Sequence, residues 1–264
     1  MSWLAELDLS LNAFLIFTLV LVRVSGLMIA GAPLGSPDVP TNVRALIAFA
    51  VALLITPVQL SAPIVWPASL LGYLVLVGGE LLLGATLGFG VTLLFFGVQL
   101  AGQIISQMSG MSLADVFNPG LDASIPLFSH LLYMVSLAIF LVLGGHRMAM
   151  SGLLESFEAL PLGGLSVPDS LGQMVVNLLV QSFSLGVRTA APATAALLLA
   201  SLVMGVISRT LPQLNVMAFG FGLNALTTFG ILSISFGGMA WLFQDEIEPA
   251  LQIVFSALAA GSRP

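Results

Sequence analysis

Arg23, Glu80 and Arg188 have the most capacity for chemistry in this 264-residue chain, because each lies well inside an apolar run. Ionisable groups in such places are expensive to desolvate, so they face a cavity or pair with an opposite charge. Glu80 is expected to pair with Arg23 or with Arg188; a proton relay through Glu80 is the functional alternative. Two polar stripes accompany these charges. Gln99, Gln103 and Gln107 recur every four residues, with Ser106 beside them, and Asn177, Gln181, Ser184 and Arg188 keep a helical rhythm. Residues four apart share a helix face. Each stripe therefore lines a wet conduit or supplies hydrogen bonds between helices in an apolar bundle.

Other chemistries lack their residues. The chain has no cysteine, which removes thiolate nucleophiles, disulfides and cysteine metal sites. His130 and His146 are sixteen residues apart with no carboxylate pattern nearby, so neither reads as a metal ligand. All six basic residues are arginine. Without lysine there is no Walker A loop and no Schiff base, so the chain is not expected to hydrolyse ATP itself. No Ser/His/Asp arrangement and no pair of carboxylates at catalytic spacing stands out. The expectation is a protein that is not an enzyme and takes no cofactor. A net charge of −6 without basic clusters also argues against nucleic acid.

The elements that must position these residues are apolar helices. Hydrophobic residues make up 58% of the chain and charged residues 7%, with a mean hydropathy of +1.12. Soluble domains carry about 25% charged residues. Residues 45–79, 81–114, 189–208 and 210–244 contain no Asp, Glu, Lys or Arg, and about 20 apolar residues suffice to cross a bilayer core as helix. The acidic start, with Glu6 and Asp8, is unlike a signal peptide.

Six spans are expected: Leu11–Ala30, Arg44 to Ile55, Ser69–Ser106, Leu127–Leu143, Leu171–Ile207 and Leu214–Phe243, with Gly144–Pro168 as a polar connector. The third and fifth would extend about 57 Å and about 55 Å as helix, too long for a bilayer at modest tilt. Either they project beyond it or they bend into hairpins, with Gly78-Gly79 and Pro192 as candidate breaks. The positive-inside rule gives a tie, with Arg44 and Arg209 on one side and Arg147 and Arg263 on the other. The fold class expected is an all-α membrane protein of about six long, partly kinked helices in one domain over residues 1–264. Between the third and fourth spans, Met108, Met111, Leu113 and Phe117 sit in a loop rich in Gly and Pro. Soft apolar groups there suit a reversible closure, or else a loop tucked into the bundle.

Several motifs resemble one family. Ala101-Gly-Gln-Ile-Ile-Ser-Gln-Met108 followed by Ala114-Asp-Val-Phe-Asn-Pro119 is similar to the central signature of the FliR family, whose virulence-secretion members are called SctT. Gly145-His146, Ser156-Phe157, Leu160-Pro161 and Ser208-Arg-Thr-Leu-Pro-Gln-Leu-Asn-Val216 follow in the family's order, and Arg23, Pro33 and Arg44 match its first two helices. The chain departs from the pattern at Gly220-Phe221-Gly222, where Gly-Phe-Pro is common, and at Asn224.

The resemblance implies a subunit of the type III export gate at the flagellar basal body, in the bacterial inner membrane. In that family one FliR joins several FliP and FliQ subunits of similar fold and completes a helical ring that sits largely above the membrane plane. FlhB and FlhA lie near the entrance, and unfolded flagellar proteins pass through. The overlong helices and the tied charge count then follow from burial against partners instead of lipid. By motif position the resemblance also implies a plug, for which Met108, Met111, Leu113, Phe117, Asn118 and Pro119 are the candidates. The alternative is a small-solute secondary transporter with Arg23, Glu80 or Arg188 at a midplane site.

Overall fold

An apolar run that meets no water must close its backbone hydrogen bonds within itself, which favours helix. The computed structural model describes residues 2–32, 35–36, 39–60, 64, 66–110, 126–163, 171–211 and 216–260, and these are almost entirely helical, with no strand among them. The helices are α1 (Ser2–Ala30), α2 (Thr41–Gln59), α3 (Leu70–Ser109), α4 (Leu127–Val142), α5 (Gly145–Ala159), α6 (Leu171–Thr210) and α7 (Val216–Ala260). Five of them, α1, α2, α3, α6 and α7, are long and apolar enough to cross a membrane, and α4 with α5 makes a sixth candidate as a bent pair. The all-α membrane fold with about six long apolar stretches is therefore what the chain adopts.

Four details differ from the sequence reading. The polar connector after residue 143 contains α5, because Gly152, Leu153, Ser156 and Phe157 recur at helical spacing and are buried, while Arg147, Glu155 and Glu158 face outward. Gly144, at φ 75°, separates α5 from α4. Helix α3 runs unbroken through Gly78-Gly79, and α6 continues through Pro192. Helix α3 also takes in Met108, which the sequence reading gave to the following loop. Helix α7 does not stop at Phe243 but carries Asp245, Glu246 and Glu248 on to Ala260, with Pro249 inside.

The chain divides into two units, one of Met1–Leu93, Gly144–Leu178 and Pro249–Pro264, the other of Leu94–Leu143 and Leu179–Glu248. In the first unit α1 runs parallel to the leading part of α3. Thr18 bonds Tyr73 near one end, and Thr92 Oγ1 accepts from Ala32 N–H (2.9 Å) and donates to the Ala30 carbonyl (2.5 Å) at the other. The backbones touch between these points. A Cβ on Gly84 would overlap the Arg23 carbonyl, and one on Gly26 would lie 2.5 Å from the Leu81 carbonyl. Helix α2 packs on α1 with Phe49 edge-on to Phe17 at 5.5 Å.

The core of the second unit is aromatic. Phe95 on α3 makes T-shaped contacts with Tyr133 (5.6 Å) and Phe140 (5.3 Å) of α4, and its ring lies 5.6 Å from Phe243 of α7. Such edge-to-face pairs add about 0.5–1.5 kcal/mol each beyond area burial. Ser129 Oγ of α4 donates to the Gln99 carbonyl at 2.9 Å.

Candidate functional site

In the first unit the long, directional side chain of Arg23 gathers three elements around itself. It is fully buried on α1. Its Nε donates to Glu80 Oε2 of α3 at 2.5 Å. Its Nη1 donates to the Ser156 carbonyl (3.0 Å), with Ser156 Oγ at 3.4 Å, and its Nη2 donates to the Leu160 carbonyl (3.0 Å). The ring of Phe157 lies 4.3 Å from the guanidinium carbon, within cation–π range. These acceptors lie at the C-terminal end of α5, where the helix dipole is negative, and the Ser156 carbonyl also accepts from Leu160 N–H at 3.0 Å. The second oxygen of Glu80 accepts from Gly163 N–H at 3.2 Å, in a turn that Gly163 makes at φ 83°. A buried ion pair returns its desolvation cost only when its remaining donors and acceptors are also bonded. Here both members have such partners.

Arg188 does not approach Glu80. Its Nη1 donates to Glu246 Oε1 of α7 at 3.0 Å, with the Arg188 side chain 49% exposed and that of Glu246 16% exposed. Gln181 donates from Nε2 to Glu246 Oε2 at 2.6 Å, so two residues of the α6 stripe converge on one carboxylate of α7. Asn177 instead accepts from Gln173 along its own helix at 3.0 Å. Beside Arg188, a groove of about 600 Å³ runs between α3 and α6, lined by Phe96, Leu100, Val180, Phe183, Ser184 and Val187 among others. On α3, Gln103 and Gln107 are exposed, Gln99 is half-buried and Ser106 is buried.

Of the residues expected to form a plug, Met108 lies on the last turn of α3 and is 37% exposed. Met111, Leu113, Phe117, Asn118 and Pro119 lie outside the described residues. His130 and His146 are exposed on α4 and α5. Among the described residues, no group of three or more His, Asp or Glu could hold a metal ion.

Sequence reasoning missed Glu246, which lies just beyond the sixth expected span ending at Phe243. Its place within a continuing helical apolar pattern (Ile247, Ala250, Leu251 and Val254 are buried) was the available signal. The Ser156 and Leu160 carbonyls and the Gly163 amide carry no side-chain signal at all.

Residues 14–250 match the bacterial export proteins, family 1. The chain belongs to that family. It is similar to the flagellar biosynthetic protein FliR of Aquifex aeolicus, 32% identical over 207 residues, which are 76% of this chain and 77% of that protein. FliR of Caulobacter vibrioides is 26% identical over 89% of this chain and 94% of its own length. The secretion system apparatus protein SsaT of Salmonella typhimurium is 28% identical over 62% of this chain and 64% of its own length. FliR and the secretion system apparatus protein SsaT therefore share this sequence pattern. Membership of the FliR family, with five helices able to cross a bilayer, puts the chain in the bacterial inner membrane.

Proposed function

We propose that the chain is a channel-forming subunit of a flagellar type III export gate. In this reading it assembles with FliP and FliQ homologues, next to FlhB and FlhA homologues. It passes unfolded polypeptides across the inner membrane and performs no catalytic step of its own. The observation that carries the reading is the length over which α6 exposes apolar side chains. Within the second unit, Leu179, Phe183, Leu199, Leu202, Val206 and Leu211 are all at least 44% exposed. From Leu179 to Val206 α6 rises about 40 Å, whereas hydrocarbon covers about 30 Å. Lipid cannot cover that whole length, and protein partners of similar helical form can. The exposed amides of Gln103 and Gln107 supply a polar face on α3 that suits the wall of a wet conduit.

The transporter alternative has less support, because Arg23 and Glu80 are committed to each other and to backbone groups, with side-chain exposures of 0% and 4%. Native mass spectrometry of the tagged chain, extracted from its own membranes, tests the proposal. A large complex holding this chain with multiple copies of two other small apolar proteins is expected. A stable monomer or homodimer would overturn it.

A further inference from the structure

We propose that Arg23 is a positioning residue for α5. Its guanidinium, aimed by Glu80, pins the C-terminal end of that helix and the turn at 160–163 onto α1 and α3.

Helix α5 has little else to hold it. Its fully buried residues are Gly145, Gly152, Leu153, Ser156 and Phe157, only two of which carry a large apolar side chain. Its outer face carries His146, Arg147, Ser151, Glu155 and Glu158. The ring of Phe157 lies over the guanidinium. The Ser156 and Leu160 carbonyls, at the end of the helix, take its two terminal nitrogens. Glu80 holds the cation from the opposite side at Nε and reaches Gly163 N–H with its other oxygen. The cation thus bridges a carboxylate on α3 and two main-chain carbonyls at the C-terminal end of α5. Arginine suits this because its planar fork presents donors in several fixed directions, whereas an ammonium is a point charge.

This assignment separates from a plain ion pair. If the Arg23–Glu80 attraction alone mattered, exchanging the two residues would conserve it. A carboxylate at position 23 is acceptor-only and would face the Ser156 and Leu160 carbonyls. The exchanged pair should therefore fail to hold α5.

The chain has no cysteine, so a single introduced thiol reports burial without background. Leu153 of α5 is fully buried and Leu197 of α6 is 1% exposed. L153C and L197C are made separately in the full-length chain, in native membranes with its export apparatus, and N-ethylmaleimide labelling rates are measured. Both thiols are expected to be protected in the parent and in E80Q, whose amide oxygen still accepts from Nε. R23K, which keeps the charge beside Glu80, should label L153C about tenfold faster, the consequence of losing one charge-assisted hydrogen bond, with L197C unchanged. R23E/E80R should label L153C at least as fast as R23K. Full protection of L153C in R23K, or protection restored by the exchange, would overturn the proposal. Equal labelling of both thiols in R23K would do so too, since Arg23 would then hold the whole chain and not α5.

Discussion

Glu80 meets Arg23 at Nε, with 2.5 Å between the two atoms, and leaves both terminal nitrogens of the guanidinium to the carbonyls of another helix. The pair is thus one part of a cluster that joins α1, α3, α5 and the turn at 160–163, with both side chains buried. Removing one member of a buried pair costs about 3–5 kcal/mol, because the other is left charged and dry. Glu80→Ala is expected to lower the stability of the detergent-extracted chain by that order, and Glu80→Gln by clearly less. Thermal unfolding followed by loss of soluble protein measures both; equal destabilisation would show that the carboxylate charge, which both variants lack, is what Arg23 needs, and that the acceptor oxygen kept by Glu80→Gln does not suffice.

Gly84 permits the backbone contact on which this cluster depends. A Cβ there would overlap the Arg23 carbonyl, whereas a Cβ on Gly78, in the same helix, meets nothing within 4 Å. Gly84→Val should destabilise by about 1–3 kcal/mol or more through overpacking. Gly78→Ala should be neutral or stabilise by up to about 1 kcal/mol through helix propensity. The two shifts in unfolding temperature should have opposite signs or differ clearly in size.

Arg188 and Glu246 form a half-exposed pair, and Gln181 shares its carboxylate. Exposed pairs contribute about 0.2–1 kcal/mol. A double-mutant cycle on Arg188→Gln and Glu246→Gln should return a coupling in that range, far below the effect of Glu80→Ala. A coupling of several kcal/mol would mean that partners bury this pair in the assembled complex.

The channel reading predicts a leak. Deleting residues 111–117 from the chain in an assembled gate should raise the resting permeability of inner-membrane vesicles to small ions, because soft apolar side chains would no longer close the path. A fluorescent ion indicator inside the vesicles measures this. Unchanged permeability would rule out a plug in that segment.

Class and location were legible from the sequence because they follow from totals and run lengths. A chain with 7% charged residues and uncharged runs of twenty or more has one stable way to satisfy its backbone in lipid. The cost of burying Arg23 and Glu80 was legible for the same reason, since an ion inside an apolar run needs a partner wherever the run folds. The choice of partner was not. Glu80 had two arginines available in sequence, and a parallel approach of α1 and α3 through Gly26 and Gly84 decided for Arg23, while α7 extending past Phe243 brought Glu246 to Arg188. The acceptors at the end of α5 were invisible because they are main-chain atoms that every residue possesses. Only the way α5 packs in three dimensions determines which carbonyls reach the guanidinium, so composition set the need for compensation and tertiary packing chose the groups that provide it.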